Sequence, residues 1–122
     1  MKRSLLLAAL ALVAVLTFAS VAGAQKASVA GTQKQQKQAT RTVVIQGFSF
    51  KPAHITITRG TKVTWVNKDT TKHTATANNA RSFDSGVLRP GGSYSHTFKR
   101  VGKQGYHCQI HPSMMGSVAV KR

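Results

Sequence analysis

Residues 108–114 read Cys-Gln-Ile-His-Pro-Ser-Met, so a thiol, an imidazole and a thioether follow one another at intervals of three residues. A tight loop between two strands can point Cys108, His111 and Met114 at one centre. Thiolate and thioether are soft ligands, and together with imidazole they favour copper over hard cations. Three ligands leave one position open, and we expect a distant imidazole to fill it. His73 is best placed, because it follows the end of a predicted strand.

The sequence around this loop predicts short β-strands. Residues 54–58 alternate polar and apolar side chains, which is the period of a half-buried strand. Arg59-Gly60 and the Arg-Pro-Gly-Gly run at 89–92 are turn signals. Short strands with turn signals at this spacing predict an all-β fold, either an antiparallel sandwich or a barrel. The further predicted strands are 42–45, 61–67, 73–76, 93–98, 106–108 and 116–120, with a turn at 102–105.

The N-terminus has the pattern of a secretory signal peptide. Lys2 and Arg3 precede a long apolar run, which ends in small residues and the sequence Ala-Gly-Ala at 22–24. We predict that residues 1–24 are this signal and that cleavage follows Ala24. An uncleaved membrane anchor is the alternative, because the apolar run is just long enough to span a bilayer. Export places the single Cys in an oxidising compartment, where an unpaired thiol calls for an explanation.

Residues 25–41 are predicted to be a flexible basic linker. The segment is rich in Gln and Lys and poor in apolar side chains, so it cannot bury enough surface to offset the entropy of ordering. The folded domain is therefore expected to be 42–122, which carries 12 basic and 2 acidic residues and a net charge of +10.

The charge of the whole chain excludes several functions. There are 18 Lys and Arg residues against two Asp and no Glu, a net charge of +16. Mechanisms that need two carboxylates and oxygen-rich Mg or Ca sites have almost no ligands to use. Nucleic acid is not expected as a partner, because the basic residues are scattered and no nucleic-acid motif is present. An acidic redox partner or an anionic membrane surface fits the charge better, and the chain is expected to be a monomer.

Residues 42–122 resemble the cupredoxins, the small blue-copper electron carriers that include plastocyanin and amicyanin. The resemblance rests on Phe-Ser-Phe-Lys-Pro at 48–52, Val-Thr-Trp-Val-Asn at 63–67 and the Cys-x-x-His-x-x-Met loop, whose spacing is most similar to that of amicyanin. It implies a Greek-key antiparallel β-sandwich of about seven to eight short strands, as in the general sandwich architecture.

The resemblance also implies the metal ligands. His73, Cys108 and His111 would be the strong trigonal ligands of one copper ion, and Met114 the weak axial ligand of a type 1 site. Met115 directly follows Met114 and is the competing thioether, although the family spacing favours Met114.

Residues near the predicted ligands carry further expectations, of which the first also comes from the resemblance. In the family, the backbone N–H after the first His ligand bonds the thiolate, and here that position is Thr74. Many members have Asn there, whose side chain braces the Cys loop; Thr74 and Gln109 depart from that pairing, so no brace is assumed. Trp65 and Phe48 are expected to fill the core. Three other histidines are expected not to bind metal: His54, His96 and His107.

The predicted function is electron transfer without chemical transformation of a substrate, so the protein is not expected to be an enzyme. The edge of His111 would be the electron port, with Pro112 and Met115 in an apolar docking patch around it. The main alternative is a periplasmic or extracellular protein that stores or delivers copper. Two weaker alternatives are a Cys–His nucleophile, which lacks any recognisable enzyme context here, and a zinc site, which would gain little from Met.

Overall fold

A computed structural model describes residues 35–122, which form eight strands. The predicted signal peptide at 1–24, and with it the alternative of a membrane anchor, lies outside the described residues, as does most of the predicted linker. Within residues 35–122, no helix is long and apolar enough to cross a membrane. The strands are β1 Thr40–Ile45, β2 Phe50–Lys51, β3 His54–Thr58, β4 Lys62–Asn67, β5 Thr76–Ala77, β6 Ser93–Thr97, β7 Gly102–His107 and β8 Met115–Lys121.

The strands form two four-stranded sheets packed as a sandwich, which confirms the predicted fold class. One sheet has the order β2-β1-β4-β6 and the other the order β3-β8-β7-β5. Both sheets are mixed, because β1 pairs with β4 and β3 pairs with β8 in parallel. The sequence predicted an antiparallel sandwich, and these two parallel pairs are the difference that the structure adds. Alternation along a strand shows which face is buried, but it contains no information on the direction of the neighbouring strand.

The core lies between the two sheets, and alternation places it correctly. In β3 and β4 every second residue is buried. Trp65 of β4 is fully buried; its ring stacks on Phe83 at 5.1 Å and meets Tyr106 of the opposite sheet edge-on at 5.4 Å. The prediction that Trp65 fills the core is confirmed. Burial of an aromatic side chain of this size is among the largest single contributions to stability.

The strand β7 is longer than predicted. It begins at Gly102, where the sequence predicts a turn, and runs to His107. Gly102 lies opposite Val120 and Gly105 opposite Ser117 in the antiparallel pair with β8. Glycine has low strand propensity, but pairing with a neighbouring strand overrides propensity when the register is set by the rest of the hairpin.

A glycine at the start of β8 allows this strand to approach its two neighbours in the same sheet, beside the Cys-His-Met loop. A Cβ on Gly116 would lie 2.6 Å from the hydroxyl of Tyr106 and 2.8 Å from the carbonyl oxygen of Ala53. Any larger residue would push β8 away from both neighbours. β8 begins directly after the loop, so this close approach lies two residues from Met114.

Candidate metal centre

The loop 108–114 connects β7 to β8 and is closed by its own backbone. The N–H of Cys108 donates to the carbonyl of Met114 at 3.0 Å, and the N–H of Met114 donates to the carbonyl of His111 at 2.9 Å. Cys108 is fully buried, Met114 is buried and His111 is half-buried. The predicted tight loop is therefore present, and its closure holds the three side chains at one end of the sandwich.

His73 reaches the same end of the sandwich through a turn that Asn67 holds. The amide group of Asn67 is fully buried and donates to the carbonyls of Thr71 at 2.8 Å and Leu88 at 2.9 Å. His73 then exchanges two backbone hydrogen bonds with Leu88, which fix its main chain. The buried amide of Asn67 explains how a ligand distant in sequence is positioned by the end of β4.

The structure brings the three predicted strong ligands together. The Sγ atom of Cys108 lies 3.8 Å from Nδ1 of His73 and 3.8 Å from Nδ1 of His111, and the two Nδ1 atoms are 3.2 Å apart. A metal ion bound trigonally at about 2.3 Å from sulfur and about 2.0 Å from nitrogen would separate its donor atoms by about 3.5–3.8 Å. The triangle of donor atoms therefore fits a single ion without large movement.

Burial distinguishes the two adjacent methionines. The side chain of Met114 is 4% exposed, whereas that of Met115 is 64% exposed. Adjacent residues at the start of a strand point to opposite faces, so only one of the two can face the interior. Met114 is the one on the buried side, together with Cys108.

Thr74 supports the thiol in two ways. Its backbone N–H donates to the Sγ atom of Cys108 at 3.3 Å, as the family resemblance implied. Its hydroxyl oxygen accepts a hydrogen bond from the N–H of Gln109 at 2.8 Å, so the Cys loop is braced after all. The hydroxyl of Thr76 donates to Asp84 at 3.0 Å, which leaves Thr74 as the donor in the 3.0 Å contact between the two hydroxyls. The hydroxyl of Thr74, hydrogen-bonded in turn to Thr76, therefore braces the Cys loop as an Asn side chain does in many family members.

Asp69 is a functional residue that the sequence analysis missed. Its Oδ2 atom lies 2.8 Å from Nε2 of His73 and accepts a hydrogen bond from the N–H of Phe48 at 2.9 Å. Its Oδ1 atom accepts from the N–H of Gly47 at 2.7 Å. The hydrogen bond from Phe48 is the largest influence on the pKa of Asp69; with those from Gly47 and His73 it outweighs burial and lowers this pKa below its ordinary value. Asp69 is therefore an ionised carboxylate beside the candidate ligand.

Phe48 lies on the surface of the metal centre, so the prediction that it fills the core was wrong. Its side chain is 51% exposed and its φ angle is +56°. The ring meets the imidazole of His73 edge-on at 5.2 Å and that of His111 at 4.9 Å. A left-handed backbone conformation is uncommon for a bulky residue, and no alternation pattern predicts it. The turn that contains Phe48 reverses the direction in which its side chain points.

The other histidines lie outside the donor triangle, and each has its own surroundings. His54 is exposed and lies 2.8 Å from the hydroxyl of Ser117, and His107 lies 2.7 Å from the side-chain oxygen of Asn78. His96 is half-buried and packs against the rings of Phe83 and Phe98.

Comparison with known proteins agrees with this geometry. The protein-family model of the cupredoxin-like domain matches residues 7–120 of this chain. The chain belongs to the cupredoxin-like family. This cupredoxin is 33% identical over 84 residues to the chloroplastic plastocyanin of Tetradesmus obliquus, a match that covers 59% of the chain and 58% of that relative. The match thus spans little more than half of the plastocyanin's length.

Solved structures show the same fold. A Cu(I) form of an amicyanin variant superposes with a TM-score of 0.64 at 25% identity and covers 71% of this chain and 87% of its own. A purple cupredoxin from Nitrosopumilus maritimus has a TM-score of 0.61 at 26% identity, over 66% and 99% of the two chains. A copper-containing nitrite reductase from Thermus scotoductus has a TM-score of 0.66 at 30% identity, over 75% of this chain but only 24% of the reductase.

Proposed function

We propose that this cupredoxin is an exported, monomeric protein that binds one copper ion in a type 1 site and carries single electrons between redox partners. His73, Cys108 and His111 would hold the ion as strong ligands, and Met114 would supply a weak thioether donor. The observation that carries the proposal is the donor triangle of one buried thiol and two Nδ1 atoms, 3.2–3.8 Å apart. A His2Cys set with a long axial Met is the donor set of blue-copper electron-transfer sites. The N-terminal sequence pattern supports export.

The protein's own part in this function is to hold the ligands still. When bound, copper supplies a one-electron couple between Cu(I) and Cu(II). His73 is fixed by its backbone bonds to Leu88, and Cys108 by those to Met114 and from Thr74. A site with little freedom to rearrange has a small barrier to electron transfer, so a rigid sandwich suits a carrier.

The enzyme alternative has less support. The nitrite reductase that shares the fold is a much longer protein, of which this chain covers 24%. Among the residues that the structure describes, one group of side chains has metal-binding geometry, and its members are His73, Cys108 and His111. We therefore propose an electron carrier without catalytic activity.

Copper delivery is the second candidate function, and metal retention separates it from electron transfer. Buried Cys108 and His73 are both fully enclosed, which favours a slowly exchanging ion. We expect the copper-loaded protein to keep its metal for hours in an excess of a chelator in both oxidation states, measured by absorption and metal analysis. Loss of Cu(I) to the chelator within the mixing time would favour delivery and contradict the carrier role.

We propose that electrons pass at the half-buried His111 and that partners dock on the apolar surface around it. The ring of Phe48 meets His111 at 4.9 Å, and three further exposed apolar residues lie close to His111 in sequence: Ile110, Pro112 and Met115. Cations lie beside the same end of the molecule, because exposed Lys72 directly precedes His73 and exposed Lys51 lies near the Phe48 turn. An apolar centre with a basic rim fits an acidic redox partner, and the same charge would hold the protein near an anionic membrane surface.

The basic rim predicts how rates depend on salt. Oxidation of the Cu(I) protein by hexacyanoferrate(III), an anion, is expected to slow several-fold between about 10 mM and 100 mM salt, as the screening length falls from about 30 Å to about 10 Å. Lys72→Gln is expected to weaken this dependence, whereas Lys121→Gln, at the far end of β8 from the metal loop, is expected to leave it unchanged. Stopped-flow absorption measures both. Equal effects of the two variants would show that net charge alone, and not a rim around the port, attracts the anion.

A further inference from the structure

The carboxylate of Asp69 connects the first histidine ligand to a separate loop. Both of its oxygen atoms are engaged: Oδ2 with Nε2 of His73 at 2.8 Å and the N–H of Phe48 at 2.9 Å, and Oδ1 with the N–H of Gly47 at 2.7 Å. The side chain of His73 is fully buried, and that of Asp69 is 13% exposed. A carboxylate with three donors and so little solvent has almost no freedom to reorient.

The contact decides which nitrogen of His73 carries the proton. An ionised carboxylate can only accept hydrogen bonds, so Nε2 of His73 must be the donor. In the neutral ring, the proton on Nε2 leaves the lone pair on Nδ1. Nδ1 is the atom that faces the other ligands, at 3.8 Å from Sγ of Cys108 and 3.2 Å from Nδ1 of His111.

We propose that Asp69 is a positioning residue of the metal centre: it holds His73 in the Nε2–H tautomer with Nδ1 free to bind copper, and it lowers the reduction potential. This inference rests on the proposed function for its effect on copper, but its effect on the ring of His73 needs no metal. Outer partners of this kind orient a histidine ligand and raise its basicity. A more basic imidazole favours Cu(II) over Cu(I), because Cu(II) carries the larger charge.

The second histidine ligand lacks this support. Among residues 35–122, no hydrogen bond joins Nε2 of His111 to another group, and its side chain is half-buried rather than enclosed. The two imidazoles are therefore inequivalent. His73 is held at Nε2 by the carboxylate of Asp69, whereas the outer edge of His111 stays available to a partner.

The same carboxylate also shapes the docking surface. By accepting the N–H groups of Gly47 and Phe48, Asp69 holds the turn that lays the ring of Phe48 against both imidazoles. Loss of Asp69 would therefore disturb both a ligand and a packing contact. Separating the two effects requires one variant for each.

Three variants separate charge, tautomer and packing. Asp69→Asn replaces the acceptor facing Nε2 with an amide that has one oxygen for three donors. Asp84→Asn is the matched control, because it removes the only other acidic charge but keeps Oδ1, the atom that accepts from Thr76 and Gly86. Phe48→Ala removes the ring and keeps the backbone N–H that donates to Asp69.

The first measurement is the tautomer of His73 in the copper-free protein, by nitrogen NMR of the imidazole. The wild type, Asp84→Asn and Phe48→Ala are expected to show the Nε2–H form, and Asp69→Asn is expected to lose it. A wild-type protein with the proton on Nδ1 would overturn the inference even if Asp69→Asn failed to fold. So would a Phe48→Ala protein that lost the Nε2–H form as fully as Asp69→Asn.

The second measurement is copper affinity and reduction potential. We expect Asp69→Asn to weaken Cu(II) binding by about 10- to 100-fold, the usual cost of removing an outer partner of a histidine ligand. Each tenfold loss that Cu(I) does not share raises the potential by about 59 mV for a one-electron couple. Asp84→Asn is expected to change both values far less than Asp69→Asn does, because Oδ1 is kept and still accepts from Thr76 and Gly86. An unchanged affinity and potential in Asp69→Asn would overturn the inference, whereas a wild-type protein that bound no copper would overturn the proposed function and leave the tautomer result intact.

Discussion

Replacement of Cys108 by Ser is expected to abolish the intense blue colour of the copper-loaded protein. The thiolate is the soft ligand on which the blue-copper character of the site depends, and a serine hydroxyl stays protonated and binds copper weakly. Ser fits the space of Cys108, and its oxygen can still accept the N–H of Thr74 that now lies 3.3 Å from Sγ. The change therefore removes a ligand without leaving a cavity.

The loss of colour should not be caused by unfolding. Thermal unfolding of the copper-free Cys108→Ser protein is expected at a modestly lower temperature than that of the copper-free wild type, because the change leaves no cavity but buries a hydroxyl in place of a thiol. Absorption during titration with Cu(II) measures the colour. A Cys108→Ser protein that turned blue would mean that another residue supplies the decisive ligand.

Replacement of Met114 by Leu is expected to keep the blue colour and raise the reduction potential. Leu has nearly the volume of Met, and such swaps in a core usually cost less than about 1.5 kcal/mol. It cannot donate to copper, and loss of a weak donor disfavours Cu(II) more than Cu(I). The axial ligand is one of the groups that tune the potential of blue-copper sites. The rise is expected to be about 59 mV for each tenfold gain in preference for Cu(I).

Met115→Leu is the matched control, because it makes the same chemical change one residue away. The side chain of Met115 is 64% exposed, against 4% for Met114. Its replacement is expected to leave both the spectrum and the potential at their wild-type values, measured by spectroelectrochemistry. A shift in Met115→Leu and none in Met114→Leu would assign the axial position to Met115.

The side chains that form the donor triangle could be predicted from sequence to lie together, because the spacing of two of them is local. Cys108 and His111 share one loop, so their spacing alone predicts that they face the same centre. His73 was found because it follows the end of a strand. The structure adds what the spacing does not contain, namely the buried amide of Asn67 that places that strand end.

The supporting residues could not be found in this way, because they depend on contacts between distant segments. Asp69 accepts hydrogen bonds from the backbone of Gly47 and Phe48, some 21 residues away. The short sequence distance between Asp69 and His73 does not by itself predict that their side chains meet. Phe48 was assigned to the core because an aromatic residue beside a strand is usually buried. Its positive φ angle of +56° reverses the expected direction.

Acidic residues are scarce in this sequence, and the structure shows what the two that are present contact. The chain has two carboxylate side chains, and both support the metal loops. Asp69 holds His73 directly. Asp84 ends the chain of hydroxyls that runs through Thr76 and Thr74 to the backbone of Gln109, beside Cys108. Neither of them belongs to the donor triangle, so a copper ion bound there would have soft and borderline ligands alone.

The most direct test is a titration of the purified wild-type protein with Cu(II), followed by reduction and reoxidation in a spectroelectrochemical cell. We predict an intense blue colour that saturates at one copper per chain, bleaches on addition of one electron and returns on its removal through several cycles without loss of metal. A colourless or pale complex, or a blue colour that does not return after reduction, would contradict the assignment of a type 1 copper site that carries electrons.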